Sequence, residues 1–507
     1  MKNRRQFLKT SVGVAGMISA KAIWSRGSSA RRLDTSHLSS FLGEPVDSAP
    51  ADTTEERWSG DPWSEMEEIL TRIKPPVFPN RDFEISDYGA EGDNQTDCTE
   101  AFDKAIAACH AGGGGRVVVP PGQYITGAIA LKSNVNLHVS QGATIRFSRD
   151  HRKYPLVFTR WEGTELMNYS PFIYAFEQEN IGITGKGTID GNCDCEHWWP
   201  WKGRPNCGWK PGDVSQEKDR DQLFDMAERG VPVSQRIFGE GHSLRPQFIQ
   251  PYRCKNVLIE DVTLFNSPMW QVHPVLCTNV TVRGLTISSF GPNTDGCDPE
   301  SCTDVLVENC SFNTGDDCIA IKSGRNADGR RLGVPSQNII IRDCRMKNGH
   351  GGVTVGSEIS GGVRKVFAEN CQMDSPHLDI AVRIKNNAMR GGLIEDIYAR
   401  NIDVGEVATA AFSVDFFYEE GEAGKFVPVA RNLEVRSVKT RKAQRALYLR
   451  GFNRAPIEGV RVVDCEFNGV SKPDVIENVA GLRLSNVKEN GKLMAHNQVT
   501  KRFGSEN

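Results

Sequence analysis

The sequence predicts an all-β fold: a single-stranded, right-handed parallel β-helix with an N-terminal capping helix. Three observations predict it. A nine-residue phrase recurs, reading NVLIEDVTL at 256, NVTVRGLTI at 279, DVLVENCSF at 304, NIIIRDCRM at 338, KVFAENCQM at 365, DIYARNIDV at 396, NLEVRSVKT at 432 and GVRVVDCEF at 459, with a weaker copy, NIGITGKGT, at 180. Inside the phrase apolar residues alternate with polar ones, the period of a strand and not of a helix. The phrase returns at steps of 23 to 36 residues, and no 3.6-residue pattern fills the gaps, which favours a β-solenoid over leucine-rich or ankyrin arrays. A β-sandwich is the competing fold; it tolerates the irregular steps but leaves the phrase unexplained.

In chain order, residues 1–30 come first. They hold Lys2, Arg4, Arg5, Lys9, Lys21 and Arg26 with no acid, a mildly apolar stretch over 12–20, and Ser28-Ser29-Ala30 as a small-residue cleavage site. Basic, apolar and small segments in that order predict an export signal, and Arg4-Arg5-Gln6-Phe7-Leu8-Lys9 resembles the twin-arginine type. The expected location is periplasmic or secreted. Residues 31–80 carry little pattern and close on Pro75, Pro76 and Pro79, so they read as a linker or poorly ordered segment with one short helix near 63–73. Residues 96–111 put Phe102, Ala105, Ile106 and Cys109 on one helical face, and the four glycines 112–115 stop it. That glycine run follows a helix and lacks a succeeding Lys-Ser/Thr, so it is a helix end and not a phosphate cradle. The helix would cap the open first coil. The β-helix is expected over 81–490, interrupted at 192–245 by an insertion rich in Trp, Gly and charge, and followed by a tail at 491–507.

Composition narrows the function. The chain is 25% charged and 38% hydrophobic with 49 Gly besides, an ordinary globular balance. Beyond the leader no run of 18 apolar residues occurs, so no membrane partner is expected after export. The net charge is −3, and removing the six positive charges of residues 1–30 leaves −9. So acidic a chain has no overall field for nucleic acid, and an anionic substrate needs a local basic pocket. Fourteen cysteines in an exported chain suggest disulfides. Yet Cys310, Cys344, Cys371 and Cys465 share the seventh place of the phrase, and read as small buried hydrophobes on one side of the stack. Cys193, Cys195, His197 and Cys207 fit no standard zinc spacing, so a loop disulfide is expected there, and no metal or other cofactor. A solenoid with capped ends is expected to be a monomer.

The repeat supplies a register for the polar residues. Asp316 and His350 each stand 12 residues after a phrase start, at 304 and 338, so they occupy one place in successive coils. Asp317 follows at 13, Asp295 stands 16 after 279, and Arg383 and Lys385 stand 18 and 20 after 365. Four adjacent coils, each rising ~4.8 Å, therefore put three carboxylates, an imidazole and two cations on one strip. Singly each has a plain reading as turn, calcium corner or surface charge; jointly, crowded carboxylates need a use. Glycoside hydrolysis is that use, since it needs one carboxyl protonated and one ionised, ~6.5–9.5 Å apart in an inverting enzyme. Arg383 and Lys385 would hold a sugar carboxylate, giving a preference for uronic acid.

Asn293-Thr294-Asp295, Gly315-Asp316-Asp317, Gly349-His350-Gly351 and Arg383-Ile384-Lys385, in that order, resemble the four signatures of the polygalacturonases, glycoside hydrolase family 28. ISDYGAEGDNQTDCTEAFDKAIAAC and VVVPPGQYITGAIALKSNVNLHV, at 85 and 117, resemble the family's N-terminal cap and first coils. The resemblance covers about residues 83–470 and implies a β-helix and inverting hydrolysis of α-1,4-galacturonan in pectic polysaccharides. It implies Asp316 as general acid, Asp295 and Asp317 as holders and deprotonators of the attacking water, and His350 as tuner of the acid. Arg383 and Lys385 would bind the substrate, and Tyr448, 16 residues after 432, would match the family's tyrosine beside the leaving sugar. Fungal members often pair the cysteine after Asp-Asp with one just before Gly-His-Gly; here Met346-Lys347-Asn348 precede Gly349, so Cys318 lacks that partner. The insertion, with Trp198, Trp199, Trp201 and Trp209, would wall off one cleft end and make cleavage exo, or pack on the rim, or join a partner chain. Rhamnogalacturonan or xylogalacturonan hydrolysis, a calcium-dependent lyase and a non-catalytic carbohydrate-binding β-helix are the rival functions.

Overall fold

The computed structural model describes residues 61–494. The expected export signal, residues 31–60 of the expected linker and residues 495–507 of the tail lie outside the described residues. The rest winds as a right-handed parallel β-helix. Two of its faces are 14-stranded sheets. The third is a three-stranded sheet and a six-stranded sheet, joined by single parallel bridges through Val272, Cys297 and Ile319. No helix among the described residues is long and apolar enough to cross a membrane.

The recurring phrase is one coil corner seen from the sequence. Its first residue is left-handed every time: Asn180, Asn256, Asn279, Asp304, Asn338, Lys365, Asp396, Asn432 and Gly459 all have φ between 53° and 61°. Asn, Asp and Gly tolerate that conformation best. The Asn side chains then stack along the helix axis, with Asn256 donating to Asn180 at 2.8 Å and Asn279 to Asn256 at 2.7 Å. A second left-handed residue five places on (Asp261, Gly284, Asn309, Asp343, Asn370, Asn401, Ser437, Asp464) turns the chain from the first sheet into the second. The second, fourth, seventh and ninth places point inward, so Val305, Val307, Cys310 and Phe312 are all buried. Cys310, Cys344 and Cys371, at the shared seventh place, are all free and buried. Cys465 is buried at the same place three coils beyond Cys371, past Ile402 and Val438.

Residues 61–80 are not a linker. Helix α1 (Pro62–Arg72) is capped by the Asp61 carboxylate and buries Trp63, Met66 and Ile69. They pack, with Ile73, on Leu306, Ile340, Phe367 and Tyr398, the third place of four successive phrases. That place faces outward, so four large apolar side chains there demand a cover, and α1 supplies it. Helix α2 (Thr99–Ala111) starts three residues later than the sequence predicts, because residues 93–97 form a strand. It buries Phe102, Ala105, Ile106 and Cys109 on the first coil, as expected of a cap. The glycines after it are a close approach: a Cβ on Gly114 (φ 101°) would stand 2.5 Å from the Asn134 carbonyl oxygen.

Two excursions leave the coil on the third-face side. The expected insertion contains a disulfide between Cys195 and Cys207, the free and buried Cys193, and helix α3 (Glu217–Glu228). A hairpin, Leu156–Trp161 with Thr164–Tyr169, has no counterpart in the sequence reading; its second strand pairs with Ile237–Phe238 of the insertion. Trp161, Leu166, Leu223, Phe238, Leu244, Met269 and Trp270 form a second small core that fixes both excursions to the solenoid.

Candidate active site

The third sheet carries the site. Ile319↔Val353 is a paired register, which puts Asp316 beside His350, and the His350 backbone N–H donates to the Asp316 carbonyl at 3.3 Å. Across the same pair the His350 Nδ1 lies 2.9 Å from Asp316 Oδ1. Asp295 and Asp317 stand opposite, with the Asp317 carbonyl accepting from the Gly296 N–H at 3.0 Å. One carboxylate oxygen from each of Asp295, Asp316 and Asp317 lies within 4.8 Å of the other two. This is closer than the ~6.5–9.5 Å expected between the two carboxyls of an inverting enzyme.

The three differ in exposure and partners. The Asp316 side chain is 16% exposed. Its Oδ1 accepts from His350 and from the Asp317 N–H at 3.0 Å, while Oδ2 has only a 3.5 Å approach from the Asn293 amide. Asp317 is fully buried, its Oδ2 2.6 Å from Lys385 Nζ and its Oδ1 3.6 Å from Arg383. Asp295 is buried, and Asp295 Oδ1 and Asp317 Oδ1 both lack a hydrogen-bond partner. A water sitting between such acceptors satisfies both. Gly351 keeps this room open, since a Cβ there would lie 2.9 Å from Asp317 Oδ1 and 2.1 Å from Thr354 Oγ1.

Burial, then the neighbouring Asp316 and Asp298 charges, push the Asp295 carboxyl well above the usual range. Burial acts the same way on Asp316 but is outweighed by the His350 hydrogen bond, with the Lys385 and Lys322 charges, so Asp316 is held low. The bond to Asp316 raises His350 to about 8. The cleft therefore holds a transferable proton in the Asp316–His350 dyad rather than on Asp316 alone. His350 is charged below about 8 and loses its proton above it, so any stability or activity resting on the charged pair is present at lower pH and lost as pH rises through about 8. The alkaline limb of kcat/KM is expected near pH 8, and His350→Gln is expected to abolish that limb; a parent profile flat from pH 7 to 9 would contradict it.

The sequence reading missed a buried charged layer behind these acids. Lys322 Nζ lies 3.2 Å from Glu358, 3.6 Å from Asp298 and 3.9 Å from Asp295, and 4.2 Å from the Trp270 ring centroid. Asp298 is a further buried carboxylate, pushed up by burial, and neither of its oxygens has a hydrogen-bond partner. A signal was present: Lys322 continues the Ile319-Ala320-Ile321 alternation and aligns through Val355 and Ile384 with Lys385. Arg245, at the end of the insertion, is also buried; it donates to the Pro268 and Pro292 carbonyls at 2.8 and 2.6 Å and to Asn293 at 2.9 Å, fixing the Asn-Thr-Asp turn.

Tyr448 is not where its count placed it. Phe412↔Leu447 and Val382↔Phe412 align it with Ser413 and Arg383, three places off Asp295, because turns of unequal length intervene. It accepts from Arg450 and does not line the cavity. Tyr418 does, with Lys385 5.1 Å and Arg383 5.6 Å from its ring centroid. Cys318 is free and bonds the Asn348 carbonyl oxygen, so the fungal bridge is absent here, as the sequence suggested.

The cavity in front of the acids measures about 390 Å³. Asp295, Asp316, Lys322, Lys385 and Tyr418 line it on the solenoid side, and Lys202, Arg204, Arg220 and Phe224 of the insertion and Glu162 of the hairpin close it. Three carboxylates are also a donor set for a hard cation. Lys385, His350 and Lys322 already supply positive charge to Asp317, Asp316 and Asp295, so a divalent ion fits poorly there.

The family model for glycosyl hydrolases family 28 matches residues 238–488, and a model for rhamnogalacturonase A/epimerase, pectate lyase-like proteins matches 83–146. The chain is similar to the crystal structure of a hyperthermoactive exopolygalacturonase from Thermotoga maritima, at 45% identity and TM-score 0.83 over 85% of this chain and 96% of that one. The chain belongs to glycosyl hydrolase family 28. It is a glycoside hydrolase. A probable polygalacturonase of Vitis vinifera is 29% identical over 74% of this chain and 72% of that one. An exo-poly-alpha-D-galacturonosidase of Dickeya chrysanthemi is 28% identical over 66% of this chain and 57% of that one. The polygalacturonase of Erwinia carotovora shares the fold at 23% identity and TM-score 0.60.

Proposed function

We propose that this family 28 enzyme hydrolyses α-1,4-linked galacturonic acid residues of pectic polysaccharides, cutting from a chain end by an inverting acid–base route. The observation that carries the reading is the pair of unpartnered buried oxygens, Asp295 Oδ1 and Asp317 Oδ1, facing the cavity-lining Asp316. Asp316, the most accessible of the three, carries the proton to the leaving oxygen on Oδ2, while the His350 contact at Oδ1 holds the carboxyl in place. A water between Asp295 and Asp317 attacks. Asp317, with Lys385 Nζ 2.6 Å from its Oδ2, takes its proton, while Asp295 orients the water. Lys385 and Arg383, flanking Tyr418, provide the positive field for the sugar carboxylate.

The insertion supports the exo reading, since its Lys202, Arg204, Arg220 and Phe224 wall one side of the cavity. Incubation with polygalacturonate and sizing of products over time checks both claims. Release of a single short product from the outset, in the presence of a chelator and without an ultraviolet-absorbing unsaturated sugar, is expected. An early ladder of oligomers would overturn exo action. Unsaturated products would point to a lyase, and turnover of rhamnogalacturonan or xylogalacturonan in place of polygalacturonate would move the substrate.

A further inference from the structure

The insertion brings positive charge to the cavity that the hydrolytic roles leave unused. Lys202, Arg204 and Arg220 line the same cavity as Asp295 and Asp316. Arg220 is paired with Asp221 at 2.8 Å. Among the described residues neither Lys202 nor Arg204 has an ion pair or a side-chain hydrogen bond. Lys202 is half-buried at the end of a short turn, Trp199–Lys202, and burial disfavours its charge, with Glu162 and Asp316 as its acidic neighbours. A partly desolvated ammonium without a partner is costly unless an anion occupies the site in the working state.

The segment is also held rigidly. The Cys195–Cys207 disulfide brackets it, the Gln216 N–H donates to the Trp201 carbonyl at 2.6 Å, and Trp199 Nε1 donates to the Ser267 carbonyl at 2.9 Å. Trp199 presses on Gly291, where a Cβ would lie 2.3 Å from its indole. A rigid cationic wall opposite the catalytic acids is a preorganised anion receptor. The substrate carries one carboxylate per sugar, and Lys202, Arg204 and Arg220 reach the cavity from the insertion side, with Asp221 and Glu162 as the acids beside them.

We propose that Lys202, Arg204 and Arg220 form a receptor for the free carboxylate of the chain's terminal uronate, so that the enzyme distinguishes an ionised chain end from an esterified one. This rests on the hydrolase reading and names what its closed end recognises. The test uses trigalacturonate and the same trimer bearing one methyl ester on either terminal residue in turn, with the parent enzyme, K202M/R204M and K202R/R204K. The parent is expected to show a KM raised tenfold or more for one of the two mono-esters, the scale of a lost charge-assisted hydrogen bond. K202M/R204M is expected to lose that discrimination, and K202R/R204K to keep most of it. A parent that treats both esters like the free trimer, or a K202M/R204M enzyme that still discriminates, would overturn the receptor while leaving the hydrolase reading intact. A parent that cuts none of the trimers would instead refute the hydrolase reading.

Discussion

Asp316→Asn is expected to lower kcat on polygalacturonate by ~10³-fold, within the range for loss of a general acid. The substitution keeps the oxygen that accepts from His350 at 2.9 Å and from the Asp317 N–H at 3.0 Å, so the turn keeps its shape. What it removes is the ionisable oxygen that has no short partner and lies on the cavity side. The melting transition is therefore expected to stay near that of the parent. Reducing-end assays with a thermal melt separate the two effects. A variant that retains a tenth or more of the parent's turnover would remove Asp316 from the acid role.

Lys385→Met is expected to damage both stability and turnover. Lys385 and Asp317 are a buried ion pair at 2.6 Å, and removing the ammonium leaves Asp317 with only Arg383 at 3.6 Å. Breaking a buried pair on one side costs ~3–5 kcal/mol, seen as a clear fall in melting temperature. Turnover is expected to fall ~10²-fold or more, since the carboxylate proposed to take the water's proton loses the 2.6 Å partner that positions it. The double variant Asp317→Asn/Lys385→Met separates the causes: stability should recover because no charge is left unpaired, and activity should not. Equal melting temperatures for parent and Lys385→Met would show that the pair does not hold the site together.

The solenoid was legible because its coils repeat a local rule. The first and sixth residues of each phrase sit in the left-handed region, which restricts them mostly to Asn, Asp and Gly, and the inward places must be apolar. The Asp316–His350 contact was legible for the same reason, since no turn of variable length lies between those residues and the third-sheet register. Tyr448 was misplaced where such turns do intervene. Lys322 and Asp298 were overlooked although they follow the strand alternation, because buried charges look like surface charges in a sequence. The cover provided by α1 was announced by Leu306, Ile340, Phe367 and Tyr398 on the outward face, a signal that needs the strand's orientation to interpret. The hairpin Leu156–Trp161 with Thr164–Tyr169 follows no repeat, and its pairing with the insertion depends on tertiary contacts alone.

The account depends on water, not a carboxylate, being the group that meets the sugar, held between the unpartnered oxygens of Asp295 and Asp317. Proton NMR of the first turnovers on an α-linked oligogalacturonate reads this directly from the anomer released. The β-anomer should appear first and mutarotate later. Initial release of the α-anomer would mean a covalent intermediate, and would contradict the arrangement of the three aspartates proposed for this site.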